Sequence, residues 1–316
     1  MVNAKVLALA GGVGGSKLVL GLSKVLQSDQ LAVAVNTGDD DKFYGLHISP
    51  DLDTMMYTLA GLSNLETGWG LAGETFRALD MLRRYGADTW FNLGDQDLGT
   101  HLRRTQLLGE GLSLSEVTFD LFSALGIEQT VIPMSDDPVP TVLHTIIGPL
   151  KMQEYFVQHG SKPKVALIQY QGATSANPAP AFDKALADAG LVVFCPSNPF
   201  LSIGPILAIS GIRERFEGMA GQIKRVAVSP IIGGAAVQGP AAKIMEELGH
   251  EVSAIGVARW YQGLCDVFVI DEQDADLAPQ ISELGMKAVV TSTVMKNEAD
   301  KVALAQFIVG LGEEGR

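Results

Sequence analysis

Val6-Leu7-Ala8-Leu9-Ala10-Gly11-Gly12-Val13-Gly14-Gly15-Ser16-Lys17-Leu18 is a short apolar run that enters four glycines and then helix-periodic text. Val6 to Ala10 has the length and composition of a buried strand, and Lys17–Leu26 the spacing of a helix. Glycine lets the backbone turn sharply and come close to a ligand. The N–H groups that open the following helix, with its dipole, favour an anion. The stretch therefore predicts a first βα unit carrying a phosphate seat; the plainer alternative is a turn kept for its packing. Neither common phosphate pattern fits. Counting from Gly12, the third glycine of GxGxxG should stand where Lys17 does. Ser16 rather than glycine precedes Lys17, and Leu18 follows it, so GxxxxGK[ST] fails as well.

The same grammar recurs along the chain. Leu31–Val35 ends in Asn36-Thr37-Gly38-Asp39-Asp40-Asp41, and Thr89–Leu93 in Gly94-Asp95-Gln96-Asp97. Leu191–Cys195 ends in Pro196-Ser197-Asn198-Pro199, and Arg225–Val228 in Ser229-Pro230-Ile231-Ile232-Gly233-Gly234. Helical patterns lie between them at Lys17–Leu26, Glu74–Tyr85, Leu114–Leu125, Ala179–Ala189 and Pro240–Leu248. Strands alternating with helices predict an α/β fold, Rossmann-like, with a mostly parallel sheet and helices on both faces. Ligands in such sheets sit beyond the carboxyl ends of the strands, which is where the glycine-rich and acidic text falls. We expect a single α/β domain over 1–316, with 41–125 partly an inserted helical subdomain. The β-branched runs and scattered prolines of 130–170 suggest a small antiparallel excursion.

A chain of 316 residues with 47% apolar and 19% charged residues can bury one large α/β core or two modest ones. Its 23 Lys+Arg against 36 Asp+Glu give a net charge of −13. That excludes nucleic acid as an expected partner, because there is no basic footprint to release counterions. No apolar run reaches about 18 residues, so no membrane span is expected. The first residues lack a charged region, a long apolar stretch and a cleavage site, so no secretory signal is expected. Cys195 and Cys265 are the only cysteines, 70 positions apart and in no metal spacing. They suggest a cytoplasmic protein with reduced thiols.

Four acidic clusters follow strand-like runs or open helices: Gly38-Asp39-Asp40-Asp41, Ser49-Pro50-Asp51-Leu52-Asp53-Thr54, Gly94-Asp95-Gln96-Asp97 and Ser135-Asp136-Asp137-Pro138. Carboxylates beside a phosphate seat call for a divalent cation between them. Mg²⁺ is usually held by one or two carboxylates plus phosphate oxygens, and it stabilises charge building on a phosphoryl group. Asp40 and Asp53 are the expected metal ligands. For any single Asp the alternative is a helix cap or turn, as Ser49-Pro50-Asp51 before Leu52–Leu62 illustrates. Ser197, Asn198 and Ser229 at other strand ends offer hydroxyl, amide and N–H groups to phosphate or a base edge; ordinary proline turns are the alternative. The five histidines show no metal spacing. His101 either faces the site or lies on a helix surface. Tyr44, Tyr57, Trp69, Trp90 and Phe91 could line a slot for a flat ring, or simply fill the core. No Gly-x-Ser-x-Gly elbow and no cysteine nucleophile is present, so covalent catalysis is not expected.

Taken together, GGVGG (11–15), SPDLDT (49–54), LGDQD (93–97), THLRRTQLL (100–108), PMSDDP (133–138), PSNP (196–199), SPIIGG (229–234) and GPAAKIM (239–245) resemble the 2-phospho-L-lactate transferase family from Leu7 to Thr293. The resemblance implies an Mg²⁺-dependent transferase of coenzyme F420 biosynthesis, commonly a homodimer with a Rossmann-like core. Such enzymes move a phospho-acid (2-phospholactate, phosphoenolpyruvate or 3-phosphoglycerate) from a guanosine diphosphate ester to the ribityl hydroxyl of the deazaflavin Fo, releasing GMP. Carried onto this sequence, Gly11, Gly12, Gly14, Gly15, Ser197, Asn198 and Ser229 fall at the GDP part of the donor. Asp53, Asn92 and Asp95 fall at the Fo side; Asn92 stands where some members carry Lys or Arg, so it supplies no charge. Asp53 is then the expected catalytic residue, orienting or deprotonating the attacking hydroxyl, with Asp40 on the metal. Lys17 becomes a first-turn surface group or a secondary phosphate contact.

Two other readings compete. The related gluconeogenesis-factor family, thought to regulate by binding nucleotide sugars, has a GGGTG loop, and PPGDIRN where this chain has SPDLDT. A nicotinamide dehydrogenase is disfavoured by the missing third glycine and by Asn36 at the strand end where an acid should bind ribose.

Overall fold

A computed structural model describes residues 5–66, 68–236 and 239–313. Seven parallel strands form the central sheet: β1 (Val6–Ala10), β2 (Leu31–Val35), β3 (Thr130–Pro133), β4 (Leu191–Phe194), β5 (Lys224–Val228), β6 (Val267–Ile270) and β7 (Lys287–Val290). Their order across the sheet is β3-β2-β1-β4-β5-β6-β7, the Rossmann order with a seventh strand added at one edge. β1 pairs in register with both neighbours, Val6 opposite Leu31 of β2 and Leu191 of β4. The expected α/β, Rossmann-like architecture is the one observed.

The strands read as unbroken apolar runs because both faces of the sheet are covered. Side chains alternate between two cores. Leu7, Leu9, Val192, Phe194, Phe268 and Ile270 enter one of them. Val6, Ala8, Ala10, Val193, Val267 and Val269 enter the other, against helix α1 (Gly12–Val25) and the last described helix, Glu298–Glu313. Cys195 and Cys265 are buried free thiols, and burial pushes both well above the usual thiol range. No described helix is long and apolar enough to cross a membrane.

Between β2 and β3 the chain leaves the sheet. It forms a hairpin of Asp41–Phe43 with Leu46–Ile48, then α2 (Pro50–Leu59), α3 (Arg77–Arg84), α4 (Asp97–Gly109) and α5 (Leu114–Ala124). α2 is anchored in the main core by Leu52, Met55, Met56 and Tyr57. α3 buries Leu79 alone and is otherwise a surface helix. α5 starts with a capping box in which the Ser113 and Glu116 side chains each bind the other's backbone N–H.

Two expectations from sequence need correction. Thr89–Leu93 is not a strand: Trp90 and Phe91 are used on an aromatic cluster with Phe43, whose ring stacks on Phe91 at 4.0 Å. Within 130–170, Thr130–Pro133 belongs to the main sheet as β3. The antiparallel excursion is the three-stranded sheet of Thr141–Thr145, Gly148–Lys151 and Val165–Tyr170.

Candidate active site

A cavity of about 750 Å³ lies beyond the carboxyl ends of β1 and β4, where the strand order turns back on itself and α/β sheets bind their ligands. Its size is within the usual range for small-molecule sites. The glycine loop, the Pro196–Asn198 loop and Ser229 line one wall; Asp39, Asp51, Asp53, Tyr57, Asp97 and His101 line the other. Trp69, Phe91, Met152 and Phe156 add apolar lining.

The sheet-side wall is built from backbone. Gly12 has φ +63°, in the region that L side chains rarely adopt. A Cβ on Gly14 would fall on the carbonyl oxygen of Pro196, well inside contact distance. Ser197 ties the two loops together: its Oγ accepts from the Gly11 N–H (3.2 Å) and donates to the Gly11 carbonyl (2.8 Å). Asn198 Oδ1 accepts the N–H groups of Phe200 (2.9 Å) and Leu201 (3.1 Å). Ser229 Oγ donates to the Ile231 carbonyl at 2.8 Å. These three side chains shape the loops they sit on. Of the glycines singled out from sequence, Gly11, Gly12 and Gly14 line the cavity. Gly15 does not; it lets α1 pack on Ala10 and Ser197. The Gly12 N–H is already bound by Asp51 Oδ1 at 2.7 Å. The amides of Val13 and Gly14, in the first helical turn, have no partner within the helix.

The opposite wall is acidic. Asn36 Nδ2 donates to Asp39 Oδ1 (3.0 Å), Asp51 Oδ2 (2.9 Å) and the Leu201 carbonyl (3.2 Å), three acceptors for two hydrogens. Burial, then the charges of Asp51 and Asp40, push the Asp39 carboxyl well above its usual range. Burial pushes Asp51 up to about 6 against the pull of its bonds to Asn36 and Gly12. Such a pair of hard oxygen donors, short of positive charge, suits a divalent cation. Two carboxylates plus substrate oxygens is how Mg²⁺ is usually held. No three His, Cys, Asp or Glu side chains converge on a metal position among the described residues. Asp40, the ligand expected from sequence, sits behind this pair and does not line the cavity. Its Oδ2 accepts from Ser49 Oγ at 2.7 Å, its Oδ1 is buried without a partner, and burial raises its carboxyl too.

Asp53, the other metal ligand expected from sequence, lines the cavity, but both its oxygens are engaged by one guanidinium rather than left for a cation. Arg104 Nη1 donates to Oδ2 at 3.2 Å and Nη2 donates to Oδ1. Arg104 Nη1 also lies 3.1 Å from His101 Nδ1. His101 Nε2 is 3.1 Å from Asp97 Oδ2, and Tyr57 Oη donates to Asp97 Oδ1 at 2.5 Å. Burial opposes ionisation of Asp97, but His101 and the Tyr57 hydroxyl beside it hold the carboxyl below its usual range. Burial, then Asp53 and Asp97, push the Tyr57 hydroxyl far up. The network of Arg104, Asp97 and Tyr57, and the Asp39–Asp51 pair, were not singled out from sequence as acting together. Asp97 and His101, four apart on α4, carry a readable spacing. Arg104 carries none, because its partner Asp53 lies 51 residues away.

Asp95, expected at the acceptor side, is not in the cavity. Its carboxylate accepts the N–H groups of Arg77 (3.1 Å) and Ala78 (3.0 Å) and the Thr75 hydroxyl, capping the start of α3. The Thr75 bond, with those amides, holds its carboxyl low. Asn92 does line the cavity beside Phe91, and Lys17 and Lys296 bring positive charge to it.

The family model for 2-phospho-L-lactate transferase CofD matches residues 6–307. The 2-phospho-L-lactate transferase of Methanopyrus kandleri is 41% identical over 317 residues, covering 99% of each chain. That of Methanosarcina acetivorans is 40% identical over 303 residues, 96% of this chain and 97% of its own. A phosphoenolpyruvate transferase of Streptomyces griseus is 39% identical over 320 residues, again 99% of each. Among solved structures, a member of the UPF0052 family from Bacillus halodurans shares the fold, with a TM-score of 0.62 over 98% of this chain and 99% of that one at 15% identity.

Proposed function

The chain belongs to the 2-phospho-L-lactate transferase family, and on that premise we propose that it joins a phospho-acid to the ribityl hydroxyl of Fo in coenzyme F420 biosynthesis. The donor is a guanosine diphosphate ester of the 2-phospholactate, phosphoenolpyruvate or 3-phosphoglycerate class. The hydroxyl oxygen attacks the phosphorus next to the acid, the P–O bond to GMP breaks, the hydroxyl proton passes to solvent, and a phosphodiester and GMP result. The observation that carries this reading is a single cavity with a main-chain anion seat on one wall and under-neutralised carboxylates on the other.

Each wall has its part in such a transfer. The first-turn amides of α1, with Lys17, would hold the donor's diphosphate. Asp39 and Asp51 would hold Mg²⁺, which when bound neutralises phosphate charge and stabilises its build-up during transfer. Asp53, with Arg104 on both oxygens, is a directional hydrogen-bond acceptor. Its role in this reading is to aim the attacking hydroxyl. Phosphoryl-type transfer depends on positioning and charge stabilisation, so no covalent group is needed. Trp69 and Phe91, with Asn92 beside them, offer apolar surface to the acceptor's flat ring. A homodimer and a cytoplasmic location belong to the same proposal.

Mass spectrometry of reactions holding Fo, Mg²⁺ and each guanylated donor tests it. A phosphodiester of Fo and stoichiometric GMP are expected with one donor class. Nucleotide-sugar binding with no consumption of Fo under any donor would instead favour a regulator.

A further inference from the structure

We infer that Arg104 is a positioning residue, a buried cation that holds two cavity-facing groups, Asp53 and His101, in the orientation the reaction uses. Arg104 is 2% exposed and is not among the cavity-lining residues, whereas Asp53, His101 and Asp97 are. It therefore has no contact with a bound ligand and acts through its partners. The guanidinium grips both Asp53 oxygens, which fixes the plane of that carboxylate and leaves its remaining lone pairs directed by the grip.

The same guanidinium decides the proton position on His101. A guanidinium has donors and no acceptor. His101 Nδ1, 3.1 Å from Arg104 Nη1, can only accept. The ring proton is then on Nε2, which lies 3.1 Å from Asp97 Oδ2 without the alignment of a hydrogen bond; the other Asp97 oxygen is held by Tyr57. One charge thus orients Asp53 and fixes the tautomer of His101, whose other nitrogen lies beside the Asp97–Tyr57 pair. Burial works against the charge on Arg104, and Asp53, Asp40 and Tyr57 together more than offset it. A buried ion pair is a poor device for stability alone, since apolar replacements of similar volume often do as well or better. This one ties α4 to α2 at the point where both meet the cavity.

The inference rests on the proposed reaction for its kinetic arm, and its second arm needs no turnover. The variants are Arg104→Lys, Arg104→Met, Asp53→Asn and the double variant Asp53→Asn with Arg104→Met. For Arg104→Met, kcat at saturating Fo and donor is expected to fall about 100-fold, the size of effect that misplacing a reacting group produces. KM for the donor should stay within a few-fold. Arg104→Lys keeps the charge but not the fork, so kcat should recover only in part. The double variant should be no slower than the slower single variant, because Arg104 acts through Asp53. It should also melt above Arg104→Met, because it leaves no unpaired buried charge. Histidine-labelled ¹⁵N NMR supplies the other arm: His101 should show the Nε2–H tautomer in the parent, and mixed tautomers in Arg104→Met and Arg104→Lys. A parental Nδ1–H tautomer, unchanged tautomers in both variants, or additive kinetic losses in the double variant would each overturn the inference. If no variant or parent turns over Fo while the tautomers behave as expected, the reaction is wrong and the positioning role stands.

Discussion

One part of the cavity lining is Gly11, Gly12 and Gly14, which carry no side chains; another is the carboxylates of Asp39, Asp51, Asp53 and Asp97, and the two meet where Asp51 binds the Gly12 N–H. The first wall is set by shape. Its loops touch each other directly, through Ser197 on Gly11 and through Gly14 against Pro196, so it has no room for an added atom. The second wall is set by charge, and it is short of cations. Arg104 answers Asp53, but Asp39 and Asp51 are met by neutral donors, the amides of Asn36 and Gln153 and the Gly12 N–H, and both carboxyls are pushed up by burial. A wall of shape fails when anything is added to it. A wall of unbalanced charge gains stability when charge is removed, and loses its use.

The largest effect should come from adding one carbon to the first wall. In Gly14→Ala the new Cβ lands on the Pro196 carbonyl oxygen, a backbone atom that cannot swing away. The glycine loop and the Pro196–Asn198 loop must part, at a cost of about 1–3 kcal/mol for overpacking. The anion seat opens with them, and turnover of Fo should fall more than about 100-fold. Thermal melting and product formation read the two effects together. Parental melting and parental turnover would show that the loops are not in contact as described.

Removing a charge from the second wall should do the opposite to stability. Asp39→Asn and Asp51→Asn keep the volume and the bonds to Asn36 or Gly12 while relieving the crowding of carboxylates. Each is expected to raise the melting temperature of the metal-free protein and to lower kcat about 10–100-fold. Asp40→Asn is the control: the carboxyl does not line the cavity, so its loss should leave the Mg²⁺ dependence of turnover unchanged. If Asp40→Asn abolished that dependence and Asp51→Asn did not, the assignment of the metal to Asp39 and Asp51 would be wrong.

Metal itself separates the walls without mutation. Asp51 has a folded-state carboxyl near 6, above its unfolded value. Its contribution to stability is present below the unfolded value and is lost as pH rises through about 6. On the proposed reading Mg²⁺ would bind the ionised pair and compete with the proton. Melting in Mg²⁺ against chelator should show a gain of about 2.7 kcal/mol at 100-fold saturation at pH 8, shrinking toward pH 5. An equal gain at both values would mean that the cation binds elsewhere.

The contrast also explains what could be read from the chain alone. Gly11 to Gly15, Pro196-Ser197-Asn198 and Ser229 are local signals, each within a few positions of a strand end, and the parallel fold puts strand ends together. The charged wall depends on pairs far apart in sequence. Asp51 meets Gly12 across 39 positions, and Arg104 meets Asp53 across 51. Spacing gives no hint of either. Among four acidic clusters, the sequence could not show that Asp39 faces the cavity while its neighbour Asp40 bonds Ser49. The Thr89–Leu93 run misled for a related reason: its aromatics serve Phe43, which lies in a two-stranded hairpin rather than in the central sheet.

The smallest effect is expected at Asp95, and it is useful because the residue stands in an acidic string beside the cavity without facing it. Its carboxylate is exposed and binds the first amides of α3 together with the Thr75 hydroxyl. α3 is a surface helix that buries Leu79 alone, so losing its cap frays a segment on which the core does not depend. Asp95→Ala should lower the melting temperature by a couple of degrees at most. KM for Fo should stay within two-fold of the parent, because the side chain has no path to the ligand. Asn92→Ala, three positions earlier and lining the cavity, should raise that KM several-fold with no change in melting. A reversal of these two results would move the acceptor from the Phe91 side of the cavity to the start of α3, and would place Asp95 at the acceptor after all.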